Sequence, residues 1–137
     1  GSGDLEDEVK QKIHEYYLEN YIDMLGYISN PYKIMKNAKV LIMTSRWEGL
    51  PMCALEAMAL GIPIVSTPTD GLKELVEDGK TGFLSDDNEI LIKRCCEILE
   101  NNSLYEKLHE GTLKKAKLIL ETQSYKDTLD KIYHQII

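Results

Sequence analysis

The chain reads as an α/β protein: an open parallel sheet of about four strands, flanked by helices and followed by a C-terminal helical tail. Three observations predict this class. Short apolar runs alternate with segments of helical periodicity through the first 85 residues, the order expected of a parallel sheet wound with right-handed crossovers. The runs 40–45 and 63–67 are continuous rather than alternating, as suits strands covered on both faces. Beyond residue 85 one helical pattern follows another with no further strand signal.

Taken in order, Leu5, Val9, Ile13, Tyr16 and Tyr17 share one helical stripe behind Asp4, which has the chemistry of a cap. Residues 22–26 form the first apolar run. Asn30 and Pro31 open a helix that should turn Ile34, Met35 and Ala38 inward. The second strand is expected at 40–45, then a helix begun by Pro51 and ended by Gly61, a third strand at 63–67 and a fourth at 82–85. Leu91, Cys95 and Ile98 mark the next helix. Ser103 with Glu106 forms a capping box for another, whose stripe Leu113, Ala116 and Leu120 continues past Gly111. Tyr125, Leu129, Ile132, Tyr133 and Ile136 complete a final amphipathic helix.

With 137 residues, 43% of them hydrophobic and 28% charged, a single domain over 1–137 is expected. No apolar run approaches the roughly 18–20 residues that span a bilayer, so a cytoplasmic protein, at most peripheral to the membrane, is the expectation. A net charge of −7 argues against a general grip on nucleic acid. The cysteines, Cys53 and the vicinal pair Cys95 and Cys96, have neither disulfide nor metal spacing and read as reduced, core-filling thiols. His14, His109 and His134 sit in charged helical surroundings and read as surface residues; none is a convincing general base.

One stretch carries the chemistry. Between Gly49 and Thr69 only Glu56 is charged, and Glu48 stands just ahead. In open parallel sheets, ligands bind beyond the carboxyl ends of the strands, and residues 44–51 are such a place. Gly49 lets a ligand approach the backbone, and Pro51 leaves the following amides and the positive helix end facing the crevice. If both acids were helical, Glu48 and Glu56 would lie about 80° apart in azimuth and about 12 Å apart along the axis, roughly the reach of a sugar diphosphate nucleotide. Plainer roles stay open: Glu48 as a first-turn acid favouring the helix dipole, Glu56 with a local backbone partner, or a glycosidase-like acid and nucleophile pair.

The segments "DMLGYIS", "NAKVLIMTSRWEGLP", "LEAMALGIPIVS" and "DGLKELVEDGKTGFL" resemble the donor domain of retaining glycosyltransferases of the two-Rossmann-domain type, in family four of sequence classification. The likeness runs nearly unbroken from about residue 21 to 84, and the paired glutamates within a Ser-x-x-Glu-Gly frame are its most specific part. It implies a partial Rossmann-like domain that binds a nucleotide diphosphate sugar, with a glycan or lipid-linked acceptor and no metal or other cofactor. Glu56 would hold the ribose hydroxyls and Glu48 would face the transferred sugar as the catalytic-site acid. Gly49, Leu50, Pro51 and Met52 would line sugar and diphosphate; Tyr27 and Ile28 would lie at the base.

Pro68 and Asp70 depart from the family pattern, and Asp70 would place charge near the sugar. The resemblance also implies two further strands and a basic diphosphate clamp ahead of Asp4. Gly1, Ser2 and Gly3 read either as an expression remnant or as native sequence at a cut edge. The expectation is therefore a donor-binding fragment, inactive alone, lacking an N-terminal acceptor domain and self-associating through exposed sheet edges. A sugar-nucleotide epimerase of the same architecture and a non-enzymatic nucleotide-sugar-binding module are the alternatives.

Overall fold

The structure, a computed structural model, describes residues 3–121; the expected helix carrying Tyr125, Leu129, Ile132, Tyr133 and Ile136 lies outside them, as does His134. The chain divides into two compact units, residues 1–33 and 34–137.

In the first unit, α1 spans Glu6–Glu15, with Glu6, Asp7 and Glu8 at its positive end and Lys12 and His14 at its negative end, a distribution that suits the helix dipole. Lys10 reaches Glu6 at 2.7 Å one turn away. The expected Asp4 cap does not form. Leu5 occupies the N-cap without a side-chain bond, and the Glu6 amide donates instead to the Gly3 carbonyl at 3.0 Å. No residue of α1 is buried, so its apolar stripe is not a core stripe among the described residues.

Residues 22–26 also differ from expectation, for they belong to no strand. Apolar composition makes a strand only where a neighbour completes the ladder; here the Ile22 amide turns back to the Leu18 carbonyl at 3.0 Å. The single-turn helix α2, Tyr32–Met35, leaves Ile34 and Ala38 exposed and Met35 half-buried. Its stripe is not directed inward as the sequence suggested.

The second unit holds the sheet: β1 Leu41–Met43, β2 Ile64–Ser66 and β3 Gly82–Leu84, parallel and in the order β1-β2-β3. The register sets Ile42 opposite Val65 and Val65 opposite Phe83. The α/β class and the three strands from 40 onward stand as expected. Every residue of β2 is buried while β1 is only partly so, which explains the unbroken apolar run of β2.

Helices cover both faces. On one, α3 (Met52–Ala59) and α4 (Asp70–Leu75) pack Ala54, Met58, Leu72 and Leu75 against Met43 and Ile64. On the other, α5 (Asn88–Glu100) and α6 (Asn102–Glu121) bring Leu91, Cys95, Ile98 and Leu108 onto Val65 and Phe83. The expected stripe of α5 is thus its buried face. Asp87 caps it, accepting the Glu89 amide at 2.8 Å.

Three details of α6 correct the sequence reading. The cap is Asn101, whose Oδ1 accepts the Leu104 amide at 3.0 Å; Ser103 lies inside the helix, so the Ser103–Glu106 box is not used. The inward residues are Leu108 and Thr112, with Ala116 and Ile119 packed further along, whereas Leu113 and Leu120 are exposed. A hydroxyl at a core position disguised the true stripe: the Thr112 Oγ1 donates to the Leu108 carbonyl at 2.7 Å and lies 3.2 Å from the Thr81 carbonyl, which removes the penalty of burying it.

His109 is not a simple surface residue either. Its Nδ1 lies 2.7 Å from the Gly61 carbonyl and its ring stacks on Tyr105 at 5.7 Å, so it ties α6 to the turn after α3. Gly61 ends that helix with φ +72, a conformation that favours glycine. Of the three cysteines only Cys95 is buried; Cys53 and Cys96 are exposed free thiols, because they fall on the outer faces of α3 and α5. Among the described residues no helix is long and apolar enough to cross a membrane.

Candidate functional site

The carboxyl ends of β1 and β2 run into two loops that are fastened together. The Thr67 Oγ1 donates to the Ser45 carbonyl at 2.6 Å, and the Thr67 amide donates to the Met43 carbonyl at 3.0 Å. A few residues on, Gly71 lies so close to the first loop that an added Cβ would stand 1.3 Å from the Gly49 carbonyl oxygen. Only glycine permits that approach. The segment 44–51 is therefore held near both ends by β2 and the start of α4.

Within that loop Glu48 is half-buried, and its Oε1 accepts the Ser45 hydroxyl at 2.8 Å. Glu48 is not helical, since α3 begins at Met52, so the separation expected of two helical glutamates does not apply. Pro51 is buried and takes the N-cap position at φ −73, ψ 115. The Ala54 and Leu55 amides both turn to its carbonyl, at 3.1 and 3.3 Å. The amides of Met52 and Cys53 precede the first intrahelical bonds and lie at the positive end of the helix.

Glu56 is half-buried, not sealed. The buried residues of α3 are Ala54, Ala57 and Met58, while Met52, Cys53 and Ala59 are exposed. Glu56 therefore lies on the open stripe of the helix, one turn beyond Met52 and Cys53, and not among enclosed apolar neighbours as the sequence implied. Cys53 reports on the surroundings of both acids. Its thiol lies 3.9 Å from the Met43 sulfur; partial burial pushes its pKa up, the charges of Glu48 and Glu56 add to the rise, and the nearby amides of Ala54 and Cys53 oppose it. Cys53 is accordingly held as a neutral thiol.

Gly49, Leu50 and Met52 are exposed around this loop. A cavity of about 720 Å³ opens at the same strand ends on the α5 side, against Thr44, Arg46, Thr67 and Asn88. Another, of about 690 Å³, lies between α3, α4 and α6 and is bordered by Leu50 and Met52. Neither Glu48 nor Glu56 lines these two cavities. Asp70 opens α4 with its side chain in solvent, 3.4 Å from Lys73. Tyr27 and Ile28 belong to the unit 1–33, where Tyr27 is exposed and Ile28 half-buried.

Sequence reasoning missed the residues that hold the loop. Ser45 was visible only as the first letter of a Ser-x-x-Glu frame, and its bond to Glu48 is the local reason for that spacing. Thr67 and Gly71 act across 22 residues in each case, a distance at which no local pattern announces a partner. Thr69, the N-cap of α4, has a buried Oγ1 without a hydrogen-bond partner among the described residues.

The sequence profile of the family described as "Glycosyl transferases group 1" matches residues 1–115. A poly(glycerol-phosphate) alpha-glucosyltransferase of Bacillus subtilis is 30% identical over 120 residues, 85% of this chain and 18% of that protein. A crystal structure of a Staphylococcus aureus TarM variant in complex with fondaparinux, alpha-GlcNAc-glycerol and UDP superimposes with a TM-score of 0.85 at 25% identity, over 98% of this chain and 27% of that one. The pneumococcal O-GlcNAc transferase GtfA in complex with UDP and GlcNAc gives 0.81 at 25% identity, over 98% and 29%. The chain spans between 16% and 24% of the length of the first curated relatives it matches.

Proposed function

The chain belongs to the group 1 glycosyl transferases, and from that membership we propose that it is the donor-binding part of a retaining hexosyltransferase. In this reading the complete enzyme moves a sugar from a nucleotide diphosphate sugar to a glycan or lipid-linked acceptor. The supporting observation is the fastened loop 44–51, which fixes one carboxylate and delivers the chain into the amino end of α3. Amides at that helix end suit a diphosphate. Glu56, one turn on, accepts the ribose hydroxyls; Glu48, already oriented by Ser45, accepts hydroxyls of the transferred sugar. Gly49, Leu50, Pro51 and Met52 form the wall along sugar and diphosphate.

Fixing the donor before the acceptor arrives removes much of the entropic cost of transfer. Glu48 is a positioning carboxylate in this scheme, with the leaving diphosphate assisting attack on the same face. Neither a metal nor another cofactor is required, so a chelator should leave transfer by the complete enzyme unchanged. Because the chain is a fraction of its relatives' length, nucleotide-sugar binding, and not transfer, is the activity proposed for it alone. Its setting is the cytoplasm, at the periphery of the membrane where lipid-linked acceptors lie. β1 is an outer strand of the sheet among the described residues, and such an edge is suited to self-association; strictly monomeric light scattering at high concentration would contradict this part.

Since TarM and GtfA were crystallised with UDP, uridine nucleotides are the first probes. Calorimetric titration with UDP, GDP and their sugar conjugates should give saturable binding for at least one series. Silence with all of them overturns the donor assignment. For the complete enzyme, retention of the donor's anomeric configuration in the product, followed by NMR, tests the stereochemical part.

A further inference from the structure

The cavity of about 690 Å³ between α3, α4 and α6 is lined mainly by apolar side chains, among them Leu50, Met52, Leu75 and Leu120. Three of these stay in water: Leu50 is 55% exposed, Met52 63% and Leu120 67%. Apolar surface left there forgoes roughly 25 cal/mol for each Å², so the groove calls for a cover. Leu120 belongs to the last described turn of α6, and the chain beyond Glu121 therefore sets out from the rim of this cavity.

Residues 122–137 carry Tyr125, Leu129, Ile132, Tyr133 and Ile136 at the spacing of one helical face. At 100° per residue, a straight continuation of α6 would turn that face about 100° away from the stripe of Leu108, Thr112 and Ile119 that meets the core. The segment needs a surface of its own. Residues 122–124 reach up to about 10 Å when extended, which gives the chain room to turn back. We propose that residues 122–137 are the cover of this cavity, with Tyr125, Leu129 and Ile132 laid against α3, α4 and α6. Lys126, Asp127, Asp130 and Lys131 cancel in charge, so the segment lacks the basic face that draws an amphipathic helix to an anionic bilayer. A short tether also sets an effective concentration on the order of millimolar, which favours the chain's own groove over that of a second copy. Leu50 and Met52 flank Pro51, and Met52 opens α3, so the cover supports the donor loop from behind. That effect on nucleotide binding rests on the donor reading above; the packing does not.

In the 137-residue chain, a benzoylphenylalanine at position 129 should, on irradiation, join within the chain to Met52, Leu55, Met58 or Leu75, as read by mass spectrometry of peptides from the monomer band. Leu129→Asp should weaken UDP binding roughly threefold or more by calorimetry, and Thr128→Asp, off the stripe, should bind like wild type. Capture only between chains, or at none of those four residues, overturns the proposal. Equal UDP affinity in the two variants, with capture intact, overturns the support given to the loop. Capture at those residues in a chain that binds no nucleotide keeps the cover and removes the donor reading.

Discussion

The underside of the sheet and its crest treat polar groups differently. Below, where α6 meets the β3 turn, the hydroxyl of Thr112 is fully buried and satisfied by carbonyls of Leu108 and Thr81, and the Thr81 hydroxyl accepts the Glu77 amide at 2.8 Å. On the crest, Glu48 is fixed by one serine, the Thr69 hydroxyl is buried without a partner among the described residues, and Trp47 stands in water. Polar groups that answer one another make the fold, whereas groups held in place yet incompletely answered are those a ligand can complete. Stability and binding should therefore respond to different substitutions.

Gly71→Ala should blur that separation most. Its Cβ would meet the Gly49 carbonyl, a backbone atom that cannot swing aside. Displacing the loop should cost about 3 kcal/mol in denaturant unfolding and abolish nucleotide binding as well; a stable variant with normal binding would mean the two loops are not mechanically joined. Glu48→Ala acts on the crest alone. In the complete enzyme it should lower the transfer rate roughly 10²-fold with nucleotide affinity and unfolding midpoint nearly unchanged, as read by steady-state kinetics and calorimetry.

Thr112→Val acts on the underside alone. It removes the hydroxyl from two buried carbonyls and should cost about 1–2 kcal/mol while leaving UDP affinity untouched. The smallest effect is electrostatic. Hydrogen bonds from Lys115 and Lys80, with Lys115 at 2.7 Å, hold the Glu77 carboxyl below its ordinary range. A depressed folded pKa stabilises above the unfolded value, about 4.3 for glutamate, and that contribution disappears as pH falls through the folded value. Glu77→Gln should accordingly flatten the acid limb of the stability profile, measured by denaturation at stepped pH. An unchanged limb would assign acid sensitivity elsewhere.

The same contrast explains what the amino-acid pattern conveyed. Strand 63–67 was legible because burial on both faces leaves an unbroken apolar run, and α5 because Leu91, Cys95 and Ile98 keep strict helical spacing. The stripe of α6 was misread because Thr112, a polar residue, belongs to the core once its hydroxyl is bonded. Residues 22–26 have strand-like composition without a ladder among the described residues. At the crest, Glu48 and Glu56 stood out by charge. Ser45, Thr67 and Gly71 did not, since their roles come from contacts made by folding. Partial exposure of Glu56 also changes its meaning: it lies on the open stripe of α3 and is not a buried charge in need of rescue.

Binding of a uridine nucleotide by the Glu56→Ala chain, titrated beside wild type and Thr112→Val, goes to the centre of this account. A ribose held by an ionised carboxylate predicts a loss of about 1.5–3 kcal/mol, which is roughly 10- to 100-fold in Kd, with Thr112→Val binding like wild type. Equal affinity in the Glu56→Ala and wild-type chains would contradict it.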